Sequence, residues 1–262
     1  MNNFLIKIIF ILFFSLKTSF VFSHEMWIEP ESFVLRANEK LNAHIRVGQN
    51  FNGNSYPYIS SETKSLKLFN KQKQIFIKNR DGDYPAIQLI LRKNDLYILS
   101  YESIPEKVDY ENFDKFKLFL QEQNLWNKWS KDNPNLINSK INEIYTRYAK
   151  SLIQVGNSDG NDFNTGLKFE LIALNNPYNK SQKLEVLLIY NNKPFKNSLI
   201  TIFNKFDNKI EINKIMTNQF GKATISLNKK GIYLLNAVQF IKNNTPSADW
   251  QSLWASLTFE KK

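Results

Sequence analysis

Short apolar-polar alternations, cut at regular intervals by Asn, Asp, Gly and Pro, run through most of this chain and restrict it to a mainly β fold. Leu41, Ala43, Ile45 and Val47 share one face of a segment whose other face carries Asn42, His44 and Arg46. A period of two belongs to a strand buried on one side. Further strands are predicted at 65–70, 73–78, 87–91 and 95–102, with Asp81-Gly82-Asp83 as a turn among them. "VGQNFNGNSYPY" reads as a loop leaving the first of these strands.

The period changes in the middle. Phe113, Phe116 and Leu120, with Phe119, Trp126 and Trp129 beside them, recur at three- and four-residue intervals, which is helical spacing. A second helical stretch is predicted over 136–149. The two helices form an insertion, about residues 109–150, packed against the first sheet. Its aromatic residues read first as core and second as a ligand-stacking surface.

"GNSDGNDFNTG", 156–166, is nearly all turn-forming and polar, and is the best candidate linker. Beyond it strands return in "KLEVLLIY", "SLITIF", "ATISL" and "IYLLNAVQF". Asn191-Asn192 tolerates the positive φ of a hairpin turn, and Gly221 closes a tight turn after "TNQF". The expected organisation is two β-sandwich domains: 24–160 with the helical insertion, and 161–262 as a compact Ig-like sandwich. "ADWQSLWASLTFE" would close the second, its aromatics plugging the sandwich; a site between Asp249, Trp250 and the N-terminus is the sharper alternative.

Lys7 followed by an apolar run over 8–16 and then Val21, Phe22 and Ser23 has the layout of a secretory signal peptide, predicted to be cut after Ser23. The run is roughly half the length a membrane-spanning helix needs, so the expected product is periplasmic and not membrane-embedded. The chain has no cysteine, which excludes disulfides, thiolate nucleophiles and thiolate metal ligands. Its net charge is +11, and loss of Lys7 and Lys17 leaves about +9. The lysines are scattered and accompanied by many asparagines, a pattern of AT-rich coding; no nucleic-acid partner is expected.

Phosphate-cradling glycine loops, nucleophile elbows and two-histidine metalloprotease helices are absent from the sequence. A Ser-His-acid triad would need His24 or His44 as its base, and neither has a recognisable setting, so the chain is expected not to be an enzyme. Cleavage after Ser23 would make His24 the first residue. An α-amine and an imidazole on one residue close a small chelate ring suited to copper, nickel or zinc. One chelate is weak, and Glu25, His44 or a group from the second half must complete it. His24 otherwise caps or hydrogen-bonds into the first strand. His44 reads first as a solvated surface residue.

"HEMWIEP" behind the signal, "VGQNFNG", "YTRYAKSLIQVGN", "GLKFELIALNNPYN", "VLLIYNNKPFKNSLITI" and "DWQSLWASLTF" together resemble the exported bacterial family catalogued as domain of unknown function 4198 (DUF4198), formerly labelled as nickel-transport subunit proteins. The resemblance spans nearly all of the chain after residue 23. Family members share a leading His, an acidic residue and a Trp, which fall here on His24, Glu25 and Trp27. The stretch 183–239 is also similar to transthyretin-like and carboxypeptidase-regulatory β-sandwich modules. What the resemblance implies is a periplasmic protein that takes up or delivers a transition metal, nickel or cobalt first, with His24 and Glu25 as metal ligands and a membrane metal permease or outer-membrane receptor as partner. Relatives carry a histidine and a methionine where this chain has Gln239 and Phe240, which weakens the implied site. The alternative is a non-catalytic β-sandwich binding or scaffold module that recognises a protein or glycan.

Overall fold

The structure, a computed structural model, describes residues 24–108, 110–243 and 245–262. The predicted signal segment, 1–23, lies outside the described residues. In chain order the first half carries β1 (Glu25–Pro30), β2 (Val34–Leu35), β3 (Lys40–Gln49), β4 (Asn52–Tyr56), β5 (Thr63–Asn70), β6 (Lys73–Ile75), β7 (Ile87–Ile90), β8 (Asp95–Ser103) and β9 (Glu106–Val108). Two helices, α1 (Phe113–Glu122) and α2 (Trp126–Asp132), precede β10 (Glu143–Val155). The second half adds β11 (Phe169–Ala173), β12 (Lys183–Tyr190), β13 (Lys193–Pro194), β14 (Leu199–Phe206), β15 (Lys209–Met216), β16 (Lys222–Ser226), β17 (Gly231–Lys242) and β18 (Trp250–Lys261).

The chain is mainly β, as its alternation predicts. Ten strands from both halves join one sheet, in the order β15-β14-β17-β18-β10-β8-β5-β6, with β2 and β9 also paired to β10. The seam is the parallel pair β10 and β18, in register from Glu143 with Trp250 to Ser151 with Thr258. Two smaller sheets cover this one: β1, β3, β4 and β7 form the first, and β11, β12, β13 and β16 the second.

Alternation along the central strands sorts side chains between two cores. Tyr97, Leu99 and Tyr101 of β8 and Ala149 and Ile153 of β10 meet Met26, Ile28, Leu41 and Ile45 of the first cover. Leu96 and Ile98 of β8 and Tyr148 and Leu152 of β10 turn the other way, toward Phe169, Leu171, Val186 and Leu188 of the second cover. Each such aliphatic side chain contributes about 1.5–3 kcal/mol when fully buried.

The second helix predicted over 136–149 is not formed; residues 143–155 are the strand β10, buried along its whole length. A strand covered on both faces loses its apolar-polar alternation, and an unbroken apolar run then mimics a buried helix. The helices that do form, α1 and α2, cover strands of both halves: Phe116, Phe119 and Trp129 cluster with Val108 of β9 and Tyr145 of β10, and with Val238 and Phe240 of β17 and Trp250 and Trp254 of β18. Asn112 caps α1, its side chain accepting from the Lys115 N–H at 3.0 Å.

Two loops read from the sequence are tighter than predicted. "VGQNFNG" is a hairpin in which Gly48 faces Gly53 across the ladder and Asn50 and Phe51 take φ of 53° and 60°. The candidate linker over 156–166 folds into the structure, where Asp162 and Thr165 are buried. The turn at Asn191-Asn192 has the positive φ expected of it, 48° and 61°.

Candidate functional site

β1 lies over the seam of the central sheet: Met26 and Ile28 enter the first core, and the carbonyl of Ile28 accepts from the Thr258 hydroxyl of β18 at 2.6 Å. Trp27 joins Phe51, Phe203 and Leu234 in a small cluster that ties β1 to β14 and β17. His24 stands at the open end of this strand, where its carbonyl accepts from Arg147 Nε at 3.3 Å. Its Nδ1 is buried and has no hydrogen-bond partner. Burial, and then the Arg147 guanidinium, lower the imidazole pKa and favour the uncharged ring.

Successive residues of a strand face opposite ways, and the two candidate ligands have different surroundings. Where His24 meets Arg147, Glu25 meets the backbone of Asn50 and the charge of Glu122. Burial pushes the Glu25 carboxyl up to about 7, against hydrogen bonds from the backbone of Glu25 and Asn50. Its Oε2 is buried without a partner. His44 is on the polar face of β3, engaged with the Ser55 hydroxyl at 2.7 Å and Glu31 at 3.3 Å. Gln239 and Trp250 line a groove beneath the helices, away from β1. The structure therefore does not gather His24, Glu25, His44 and Gln239 into one place. Among the described residues no three His, Asp or Glu side chains stand close enough together to hold a metal ion.

What His24 has beside it is a set that sequence reading passed over. Arg147 lies over the Tyr145 ring at 4.4 Å and 3.9 Å from Glu106, while Tyr145 donates to Glu106 at 2.6 Å. These side chains, with Met26, Tyr56 and Tyr101, line a cavity of about 220 Å³ between the first cover and the central sheet. Arg147 and Tyr145 were hidden in the stretch read as a helix. Their alternation with Thr146 and Tyr148 is the signal that a strand assignment would have exposed.

A larger groove, about 1050 Å³, runs where the two helices meet β14, β17 and β18. Its floor is apolar: Phe240 stacks on Trp250 at 5.1 Å, and Trp129 meets Trp250 edge-on at 5.8 Å. The Trp129 ring is 5% exposed, and its Nε1 is buried with no hydrogen-bond partner. Carboxamides line the walls at Gln123, Asn124, Asn133, Asn197 and Gln239, and Lys128, Lys196 and Lys242 add positive charge. Lys128 is paired with Asp132, which leaves the balance of this rim positive. Such a surface can offer hydrogen bonds of both polarities and attraction for an anion.

A family model described as a domain of unknown function (DUF4198) matches residues 21–240. No curated protein matches the chain. Among solved structures, the D0-D1 domain of intimin aligns over 88% of this chain and 96% of its own, at 10% identity and a TM-score of 0.23. The mouse nectin-like molecule 4 ectodomain, Ig1-Ig3, aligns over 90% of this chain and 62% of its own, at 8% identity and a TM-score of 0.21. The chicken CNTN1 FN1-FN3 domains align over 89% and 64%, at 8% identity and a TM-score of 0.22. Among the described residues no helix is long and apolar enough to cross a membrane.

Proposed function

The chain belongs to the DUF4198 family, and on that premise we propose that it is an exported, non-catalytic binding module of two β-sandwich units, whose ligand is an anionic oligosaccharide held in the groove beneath the helices. The observation that carries this reading is the aromatic floor of Trp129, Phe240 and Trp250 set among carboxamides and lysines. Carboxamides suit hydroxyl pairs, lysines suit carboxylate or sulfate groups, and the groove is slightly larger than a typical small-molecule site, as an oligosaccharide requires. Titration calorimetry against uronic-acid and sulfated oligosaccharides tests the reading, with Gln239→Ala as the variant that removes a wall carboxamide and keeps the aromatic floor. At least tenfold weaker binding by that variant is expected, about 1.4 kcal/mol. No binding by the wild type, or equal binding by the variant, ends the proposal.

A second reading is favoured by the unpartnered Nδ1 of His24. In it the ring and a free α-amine at residue 24 hold nickel, cobalt or copper for a membrane permease or outer-membrane receptor. The residues on hand fit a metal in one respect: an uncharged imidazole with a free nitrogen. They do not fit in two others, since Glu25 lies in different surroundings and the Arg147 guanidinium beside His24 repels a cation. Everything then rests on cleavage between Ser23 and His24. Mass spectrometry of the exported protein fixes its first residue, and Ni(II) and Cu(II) titrations compare that form with one extended by a single Met. Equal affinity in both removes the metal reading and leaves the groove.

A further inference from the structure

Lys150, in the middle of β10, is sealed from water together with two carboxyls. Its side chain is 1% exposed, that of Asp162 1% and that of Glu170 0%. The amine donates to Asp162 Oδ1 at 2.7 Å, to Glu170 Oε1 at 2.9 Å and to the Phe163 carbonyl at 3.1 Å, so all three of its donors are used. Glu170 is held in addition by the Thr165 N–H and hydroxyl, each at 2.9 Å, and by the Leu167 N–H at 3.1 Å. Asp162 accepts from the Phe163 N–H on Oδ1 and the Ala173 N–H on Oδ2, both at 2.8 Å. Leu152, Leu167, Phe169 and Leu171 belong to the core on this side of the sheet.

Two carboxylates and one ammonium enclosed together would bury a net negative charge, which a dry interior opposes strongly. The triad becomes neutral when one carboxyl keeps its proton. Burial pushes the Asp162 carboxyl up, against the charge and hydrogen bond of Lys150 and with the charge of Glu170 adding to it, which favours a proton on Asp162. Glu170 accepts four hydrogen bonds, one of them from Lys150, and such donors favour a carboxylate there. A neutral acid is an electrophile, and an amine stands against it with a base alongside.

We propose that Lys150 and Asp162 condense into an intramolecular isopeptide bond, with Glu170 as the proton carrier. Glu170 takes a proton from the ammonium, and the freed Nζ attacks Asp162 Cγ, one C–O bond beyond the oxygen that Nζ already contacts at 2.7 Å. The Nζ–Cγ bond forms and a Cγ–O bond breaks. Of the two protons Nζ loses, one leaves with the hydroxyl as water and the other stays on Glu170. The products are an amide, a neutral carboxyl and water, with no oxidant or cofactor required. Backbone N–H groups sit on both oxygens of Asp162, so the oxygen that bears charge in the tetrahedral intermediate has a donor in place. In a chain with no cysteine, this bond joins β10 covalently to the segment ahead of β11.

Peptide mapping by mass spectrometry of the purified, folded chain tests the proposal. The expected result is a single looped peptide, residues 148–168, uncut after Lys150 and one water lighter than the linear peptide of the same residues, whereas an uncut peptide of full linear mass overturns the proposal. Glu170→Gln, which keeps the shape and removes the base, should slow bond formation about a hundredfold or more. A folded wild type in which trypsin cuts after Lys150, and in which both peptides have their full masses, overturns the proposal. The same cross-link at the same yield in Glu170→Gln overturns the role given to Glu170. Should that variant fail to fold, the wild-type map alone decides whether the bond exists.

Discussion

Glu25 and Glu143 are carboxyls that the fold keeps from water. Burial pushes each from 4.5 up to about 7, in Glu143 against hydrogen bonds from Ser252 and Tyr110. Below about pH 4.5 folded and unfolded chains alike hold these protons. As pH rises the unfolded chain releases them first, so stability falls between 4.5 and about 7 and levels off above. Each group accounts for at most about 3 kcal/mol of that fall. Glu25→Gln should therefore lessen the stability lost between roughly pH 5 and 7.5, by at most about 3 kcal/mol, read from urea unfolding at the two pH values; an unchanged slope would show that Glu25 ionises freely. Legibility at this scale is uneven. The scarcity of histidine singled out His24, and the polar face of β3 accounts for His44, whose ring is engaged by Ser55 and Glu31. Arg147 and Lys150 could not be assigned from sequence, because a cation inside an apolar run acquires its meaning from partners brought in by other strands.

The β3–β4 hairpin shows why two glycines recur in "VGQNFNG". A Cβ on Gly53 would come within 2.8 Å of the Trp27 ring and 2.4 Å of the Val47 carbonyl oxygen, and one on Gly48 within 2.0 Å of the Asn52 carbonyl oxygen. Trp27 lies against this hairpin and meets Phe51 edge-on at 5.3 Å. Gly53→Ala is expected to cost about 1–3 kcal/mol through overpacking. Denaturant midpoints measure that loss, and an unchanged midpoint would mean that Trp27 moves freely. Strands with a wet face, β5 and β7, were legible to within about two residues of their ends, as was β8, which is buried on both faces but bounded by turn residues. β10 was not, since the rule that reads a strand from its alternation needs one wet face and β10 has none.

At the scale of the molecule, β10 and β18 stitch the two halves into one sheet, and β1 lies across the stitch. Unfolding either half strips neighbours from the other, so calorimetry should show one transition. Hydrogen exchange should find the slowest amides in β10, where exchange requires global opening. Two resolved transitions would instead mean that the seam is weak. The β class, the strand positions on the wet faces, the turns at Asn191-Asn192 and Gly221, and the helical spacing of α1 follow from local period and turn chemistry, which a single sequence contains. Which strands become neighbours does not. The union of two halves in one sheet, the helices over β17 and β18, the groove beneath them and the enclosure of Lys150 with Asp162 and Glu170 were decided by tertiary structure. Each depends on burial between segments far apart in the chain, and no local pattern encodes which distant segment will do the covering.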